Sequence, residues 1–384
     1  MTILSPLILV AVWACPVELE RTDPGKTRAA IQTAARHQER GDYATAEALL
    51  RQALEGAAPE ERLTMEALNQ LAAVLFRRAD FPEAESAVRR ALELNARRAE
   101  SDDLARAESL NTLAEISRAR HQISEADAAQ KQALAIFETR LGKDHPSTLT
   151  LLENRASLLA QEGHYREAAA VSRSVLASRE KRLGPKHPCL ATTLSNLAGY
   201  ELAMGNSVNV QMLYRRALAI REQANGPIHP EVGVLLNNLA EHLRREGKSR
   251  DAEPLYRRAL AILGSRDELH PNHATVLNNW AEYLAGRGRK AEAETSYRKA
   301  WLIAQAALGS NHLLVAAIQE NLARHLRSTG RSSEAVGLLR QALNICSQKQ
   351  GTQHPDAQKI LLALSRLESS EGRATASSGI NAFR

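Results

Sequence analysis

Apolar and polar residues alternate along this chain with the period of an α-helix, and the alternation itself recurs. Between 229 and 264, Leu235, Leu239 and Leu243 fall at i, i+4 and i+8 and are joined by Leu236 and Ala240. That spacing is one apolar face of a helix. His229-Pro230 precedes it, with Pro230 near the first turn, where a missing N–H does no harm. Gly247 follows, as a left-handed C-terminal cap would. Ala252, Tyr256, Ala259, Leu260 and Leu263 then trace a second stripe, and Gly264 is expected to close it. The pattern predicts two helices joined by a glycine turn.

The same grammar repeats along most of the chain. Asn196-Leu197-Ala198 returns as Asn238-Leu239-Ala240, Asn279-Trp280-Ala281 and Asn321-Leu322-Ala323, and in weaker form as Asn154-Arg155-Ala156, Thr112-Leu113-Ala114 and Gln70-Leu71-Ala72. The alanines of these triplets are spaced by 42 residues, once by 41. Turn glycines recur at Gly163, Gly205, Gly247, Gly288 and Gly330, and second-helix alanines at Ala84, Ala126, Ala168, Ala252, Ala293 and Ala335, with Val210 as the exception. Small residues at fixed places let helix backbones approach closely, and a large side chain there would overpack the contact by about 1–3 kcal/mol. A period of this length predicts an all-α solenoid, in which each unit buries its apolar face on its neighbours.

The first unit is fitted around Gly41, Ala46 and Ala53. Residues 355–369 supply one more first helix, which reads as the C-terminal cap a solenoid requires. The domain reading is an apolar leader over 1–17, a linker over 18–27, the solenoid with its cap over 28–369, and a Ser/Ala/Gly-rich disordered tail over 370–384. Ile3 to Val12 is nearly all apolar, the length of a signal-peptide hydrophobic region and too short to span a bilayer. Export is therefore favoured over a cytoplasmic location, with Cys15 a degenerate lipidation site and the membrane a partner only if this segment is an anchor. No Lys or Arg precedes the run, so a leader docked on the first repeat stays open.

Aromatic content is 4% and the formal net charge is +6, from 50 basic and 44 acidic residues. The two signs are interspersed, as on solvated helical surfaces, without the basic stripe and aromatics of a nucleic-acid footprint. Cys15, Cys189 and Cys346 match no zinc spacing and read as free thiols. Histidines recur at His145, His187, His229, His270, His312 and His354. One imidazole per unit is too far from the next to share a metal, so each reads as a loop residue bonding to backbone. Gly25-Lys26-Thr27 lacks the glycine a phosphate loop needs at Glu20. No metalloprotease motif or nucleophile elbow is present. The expectation is no enzyme, no cofactor, no metal and no small-molecule substrate.

The set Asn237-Asn238-Leu239-Ala240, Gly247, Leu255 to Ile262 and His229-Pro230 resembles tetratricopeptide repeats of the kinesin-light-chain-like type, over roughly 28–369. The resemblance implies a right-handed superhelix of about eight helix pairs with first helices on the concave face. Asn154, Asn196, Asn238, Asn279 and Asn321 would then line one groove. A carboxamide donates and accepts, so it can pair with the backbone of any extended peptide, and in the resembled repeats similar asparagines are expected to do so. Asn237, Glu241 and Arg244, then Asn278 and Glu282, then Arg324 and Arg327 would set specificity around them. The function implied is a protein- or peptide-binding scaffold. An RNA-binding helical-repeat protein, supported by the sequence pI near 9.3, and a self-assembling structural module remain alternatives. The pattern is broken at Ala79 and His121, where glycine is expected, at Ser207 to Gln211, at Glu201, and in the longer loop from Gly264 to His270.

Overall fold

The computed structural model describes residues 26–39, 42–55, 61–97, 102–120, 122–266 and 270–367. The leader over 1–17, the tail over 370–384, the turn residues Gly41 and His121 and most of the 18–27 linker lie outside them. Helices occur in pairs: α1 (Lys26–Glu39) with α2 (Tyr43–Glu55), α3 (Glu61–Arg77) with α4 (Phe81–Arg97), α5 (Asp103–Ala119) with α6 (Ile123–Leu141), and α7 (Pro146–Gln161) with α8 (Tyr165–Leu183). The series continues with α9 (Cys189–Ala203) and α10 (Ser207–Asn225), α11 (Pro230–Arg245) and α12 (Ser249–Arg266), α13 (Pro271–Gly286) and α14 (Lys290–Leu308), and α15 (Leu313–Ser328) and α16 (Ser332–Gln350). A final helix, α17, covers 355–367. Eight pairs and a closing helix are the architecture read from the period. α1 opens at Lys26, two residues inside the expected linker, and α12 runs through Gly264 to Arg266 instead of ending at it.

The chain divides into two compact units, up to Ser265 and from Arg266 onward. Within the first, each second helix packs on the first helix of the next pair, as α4 does on α5, α6 on α7 and α8 on α9, while α3, α5, α7 and α9 also touch in series. The second unit repeats this with α14 against α15 and α13 against α15. The alanines that mark the register are buried in every pair, including Ala156, Ala198 and Ala240 on first helices and Ala168, Ala217 and Ala259 on second helices, and Val210 is equally buried at its exceptional position. A representative core joins Ala156, Ala168 and Ala169 to Leu197 and Tyr200, so the apolar face of one pair is completed by the next.

Local chemistry starts and stops these helices. His145, His229, His270 and His312 are N-caps: each Nδ1 accepts from the backbone N–H two residues on, at 3.2, 3.3, 3.1 and 3.0 Å. His187 and His354 make the same contact at 3.3 and 3.2 Å. The recurring histidines thus occupy the place usually held by Ser or Asp. At the other ends, Gly247 has φ +76° and Gly226 φ +85°, with open space around a would-be Cβ. Ala79 adopts φ +55° at the turn where glycine is missing. Left-handed backbone costs an L-residue roughly 1–2 kcal/mol, partly offset by the stiffer unfolded chain. Gly247→Ala is accordingly expected to destabilise by about 1 kcal/mol in urea titration; an unchanged midpoint would remove this explanation of the glycine period.

Cys346 is a buried free thiol. Cys189, at the start of α9, is disulfide-bonded, which corrects the free-thiol reading. The separation of Cys189 from Cys346 along the repeats stands.

Candidate functional site

The first helices bring the asparagine column together in a way the spacing alone did not specify. In the first unit, Asn154 Nδ2 donates to Asn111 Oδ1 at 2.9 Å, and Asn196 Nδ2 donates to Glu153 Oε2 at 3.3 Å. Asn237 Nδ2 donates to Asn238 Oδ1 at 3.2 Å. In the second unit, Asn278 donates to Asn279 at 3.3 Å and Asn321 to Asn278 at 3.0 Å. Asn154, Asn196 and Asn321 each reach the residue just before the corresponding asparagine position one repeat earlier. These three bonds tie α7 to α5, α9 to α7 and α15 to α13, while the Asn237 and Asn278 donations stay within one helix.

Burial sorts its members. Asn154, Asn196, Asn237 and Asn278 are buried, whereas Asn238, Asn279 and Asn321 are half-buried and reach solvent. Asn111 and Glu153 were missed as partners. The signal that would have found them is the polar residue preceding each column asparagine, at Asn111, Glu153, Asn237, Asn278 and Glu320.

Charged residues flank the accessible asparagines. Beside Asn238, Glu241 accepts from Arg244 at 2.7 and 2.8 Å, from Arg245 Nε at 2.7 Å and from the Tyr256 hydroxyl at 2.9 Å. Burial works to raise the Glu241 pKa, but the Arg244 and Arg245 guanidiniums hold its carboxyl below the usual range. Glu241 is therefore the hub of a fixed cluster, not a freely solvated groove residue. In the second unit, Arg324 donates to Glu282 at 3.3 Å and to Asn321 Oδ1 at 2.5 Å, and Arg327 is exposed. Lys359 of α17 reaches Glu320 at 2.7 Å, so the closing helix adds a cation to this face.

A carboxylate–guanidinium network sits behind the asparagines of the first unit. Glu153 of α7 and Arg179 of α8 are both buried, 3.9 Å apart, and Arg179 also donates to Thr193 Oγ1 at 2.6 Å. Burial pushes Glu153 up and Arg179 down from their ordinary values, and each partner opposes the other's shift. The described residues hold no group of three or more potential metal-ligating side chains, and none of their helices is long and apolar enough to cross a membrane.

Stacked helix pairs with a hydrogen-bonded polar column on their first helices define a helical-repeat protein. The chain belongs to the tetratricopeptide-repeat family: that family's model matches 63–139, 147–223, 189–265 and 272–348, and related tetratricopeptide-repeat models match 237–301 and 27–52. Its repeat unit is 42 residues long, once 41. No curated protein matches the chain. Among solved structures, a chain from Podosopora anserina described as a kinesin light chain with nearly identical tetratricopeptide-like repeats is 26% identical, with a TM-score of 0.44 over 54% of this chain and 98% of that one. The apo form of RapI is 16% identical, with a TM-score of 0.53 over 74% of this chain and 99% of that one. BtubC from P. vanneervenii is 20% identical, with a TM-score of 0.46 over 63% and 92%. The chain is a protein-interaction repeat scaffold.

Proposed function

We propose that the first-helix face binds an extended segment of a partner protein, without catalysis. The observation carrying this reading is that each unit presents half-exposed carboxamides on its first helices, with a guanidinium bonded to Asn321 in the second. Asn238 precedes Glu241 and its arginines by one helical turn in the first unit, and Arg324 donates to Asn321 in the second. Carboxamides serve the backbone of any extended peptide, and the arginines favour an acidic side chain on it. The buried asparagines hold the first helices in register behind this surface. Their bonds to neighbouring helices suit a preformed face, which loses little ordering entropy when a peptide docks.

The test is a pull-down from the native organism's extract using the wild-type chain and the Asn238→Ala, Asn279→Ala, Asn321→Ala triple variant. Circular dichroism would establish equal helicity. Binding of a protein partner lost in the triple variant supports the reading. A partner retained equally overturns it, and recovery of RNA with steep salt dependence would favour the nucleic-acid alternative.

A further inference from the structure

The repeats provide an internal control for their own outer surface. Second helices carry a cation at one fixed position: Arg89, Lys131, Arg173, Arg215, Arg257, Arg298 and Arg340, the last with Val336 four residues before it. Most are neutralised by an acid four residues earlier: Arg89 by Glu85 at 2.7 Å, Lys131 by Asp127 at 2.7 Å, Arg257 by Glu253 at 2.7 Å and Arg298 by Glu294 at 2.9 Å. Arg173, which has Ala169 at that place, pairs instead with Glu201. In α10 the acid is replaced by Gln211, and exposed Arg215 forms no ion pair among the described residues.

Two large apolar residues occupy the same face. Val208 is 92% exposed and Met212 61% exposed. They share a shallow hollow with Gln211, Arg215 and Arg216, as expected of i, i+3, i+4 and i+7 on one helical stripe. The positions matching Val208 are Arg166 and Arg250 in the adjoining units, and those matching Met212 are Ala170 and Pro254. The fold therefore asks for neither apolar side chain here. Three departures from the repeat meet on one stripe: two gained hydrophobes and one lost counter-charge.

We infer that the outer face of α10 is a second docking surface, which takes an amphipathic segment of another protein carrying an Asp or Glu flanked by large apolar side chains. The uncompensated Arg215 selects the carboxylate, and Val208 and Met212 receive the apolar neighbours. A second copy pairing through this stripe is a poor occupant, because Val208, Gln211, Met212, Arg215 and Arg216 offer no carboxylate to Arg215. This surface is on a second helix and uses none of the residues of the first-helix face.

The probe is a library of 12-residue peptides built from Leu, Met, Asp, Lys, Ser and Ala, selected on the full chain and then measured by fluorescence anisotropy. The expected winners place Asp within four residues of Leu or Met. Their affinity falls at least tenfold in Val208→Ser/Met212→Ser and is unchanged in Asn238→Ala, while Arg215→Glu selects Lys in place of Asp. All of these side chains except Asn238 are exposed, so helicity by circular dichroism should stay constant. Absence of acidic–apolar enrichment, or equal binding by the double variant, overturns the inference. Loss confined to Asn238→Ala overturns it by assigning the peptides to the first-helix face. Concentration-dependent dimers in sedimentation that vanish with Met212→Ser overturn it in favour of self-association.

Discussion

Glutamate in place of Ala259 is expected to lower the melting temperature more than any substitution on the first-helix face. Ala259 is fully buried in α12, at the second-helix position that stays small from repeat to repeat. A longer side chain overpacks that contact by about 1–3 kcal/mol. Its carboxylate must also lose water without a built partner, or become neutral through a shifted pKa at about 1.4 kcal/mol per unit. Together these predict a loss of about 4 kcal/mol or more, enough to unfold the α11–α12 pair locally, since each repeat rests on few neighbours. Glu241→Ala is the matched comparison. It removes the bonds from Arg244, Arg245 and Tyr256, with an expected loss of about 1–2 kcal/mol. Scanning calorimetry on both variants decides the matter, and equal melting temperatures would contradict the placement of Ala259 in the core.

Much of the fold was legible because the repeat samples the same physical requirement many times. A small residue at Ala156 alone means little; the same residue at Ala198, Ala240 and Ala281 marks a close helix contact. Gly247 and its equivalents were readable as left-handed caps for the same reason. The errors fall where the repeat gives no such vote. Gly264 resembles the closing glycines Gly184 and Gly226, yet the helix continues past it to Arg266. Cys189 occurs once, so periodicity could not reveal its disulfide. The asparagine column was found, but spacing along a sequence does not say which way a carboxamide turns. That Asn154 and Asn196 are buried while Asn238 reaches solvent depends on what each neighbouring helix offers, Asn111 and Glu153 in the first two cases. Glu241 was legible as a residue flanking the asparagines, but its acceptor role for Tyr256 was not, because that bond crosses from first helix to second.

Arg179→Met is expected to destabilise the first unit by about 3–5 kcal/mol at neutral pH, the usual effect of removing one member of a buried ion pair. Methionine fills much of the same volume, so the loss isolates charge from packing. It leaves the Glu153 carboxylate buried, with Asn196 and Thr193 of the next first helix among its remaining hydrogen-bond partners. The sign of the pH dependence follows from burial, which already holds the Glu153 pKa above its ordinary value. Without Arg179 that upward shift grows, so the folded variant binds a proton that the unfolded chain releases. Its deficit relative to the parent therefore shrinks as pH falls from neutral toward the unfolded glutamate value of about 4.3. Adding Glu153→Leu removes the stranded charge and should restore most of the stability, because well-packed apolar replacements of buried pairs are often neutral. Urea midpoints at pH 7 and pH 5 for parent, single and double variants test each step. A deficit independent of pH, or a double variant no better than Arg179→Met, would mean that Arg179 acts through its bond to Thr193 and its packing. The same experiment separates the two roles of the asparagine column. With Glu153 replaced by leucine, Asn196 loses an interhelical acceptor while Asn238 keeps its bond from Asn237. If peptide binding survives in that double variant, the buried asparagines serve register and the accessible ones serve recognition.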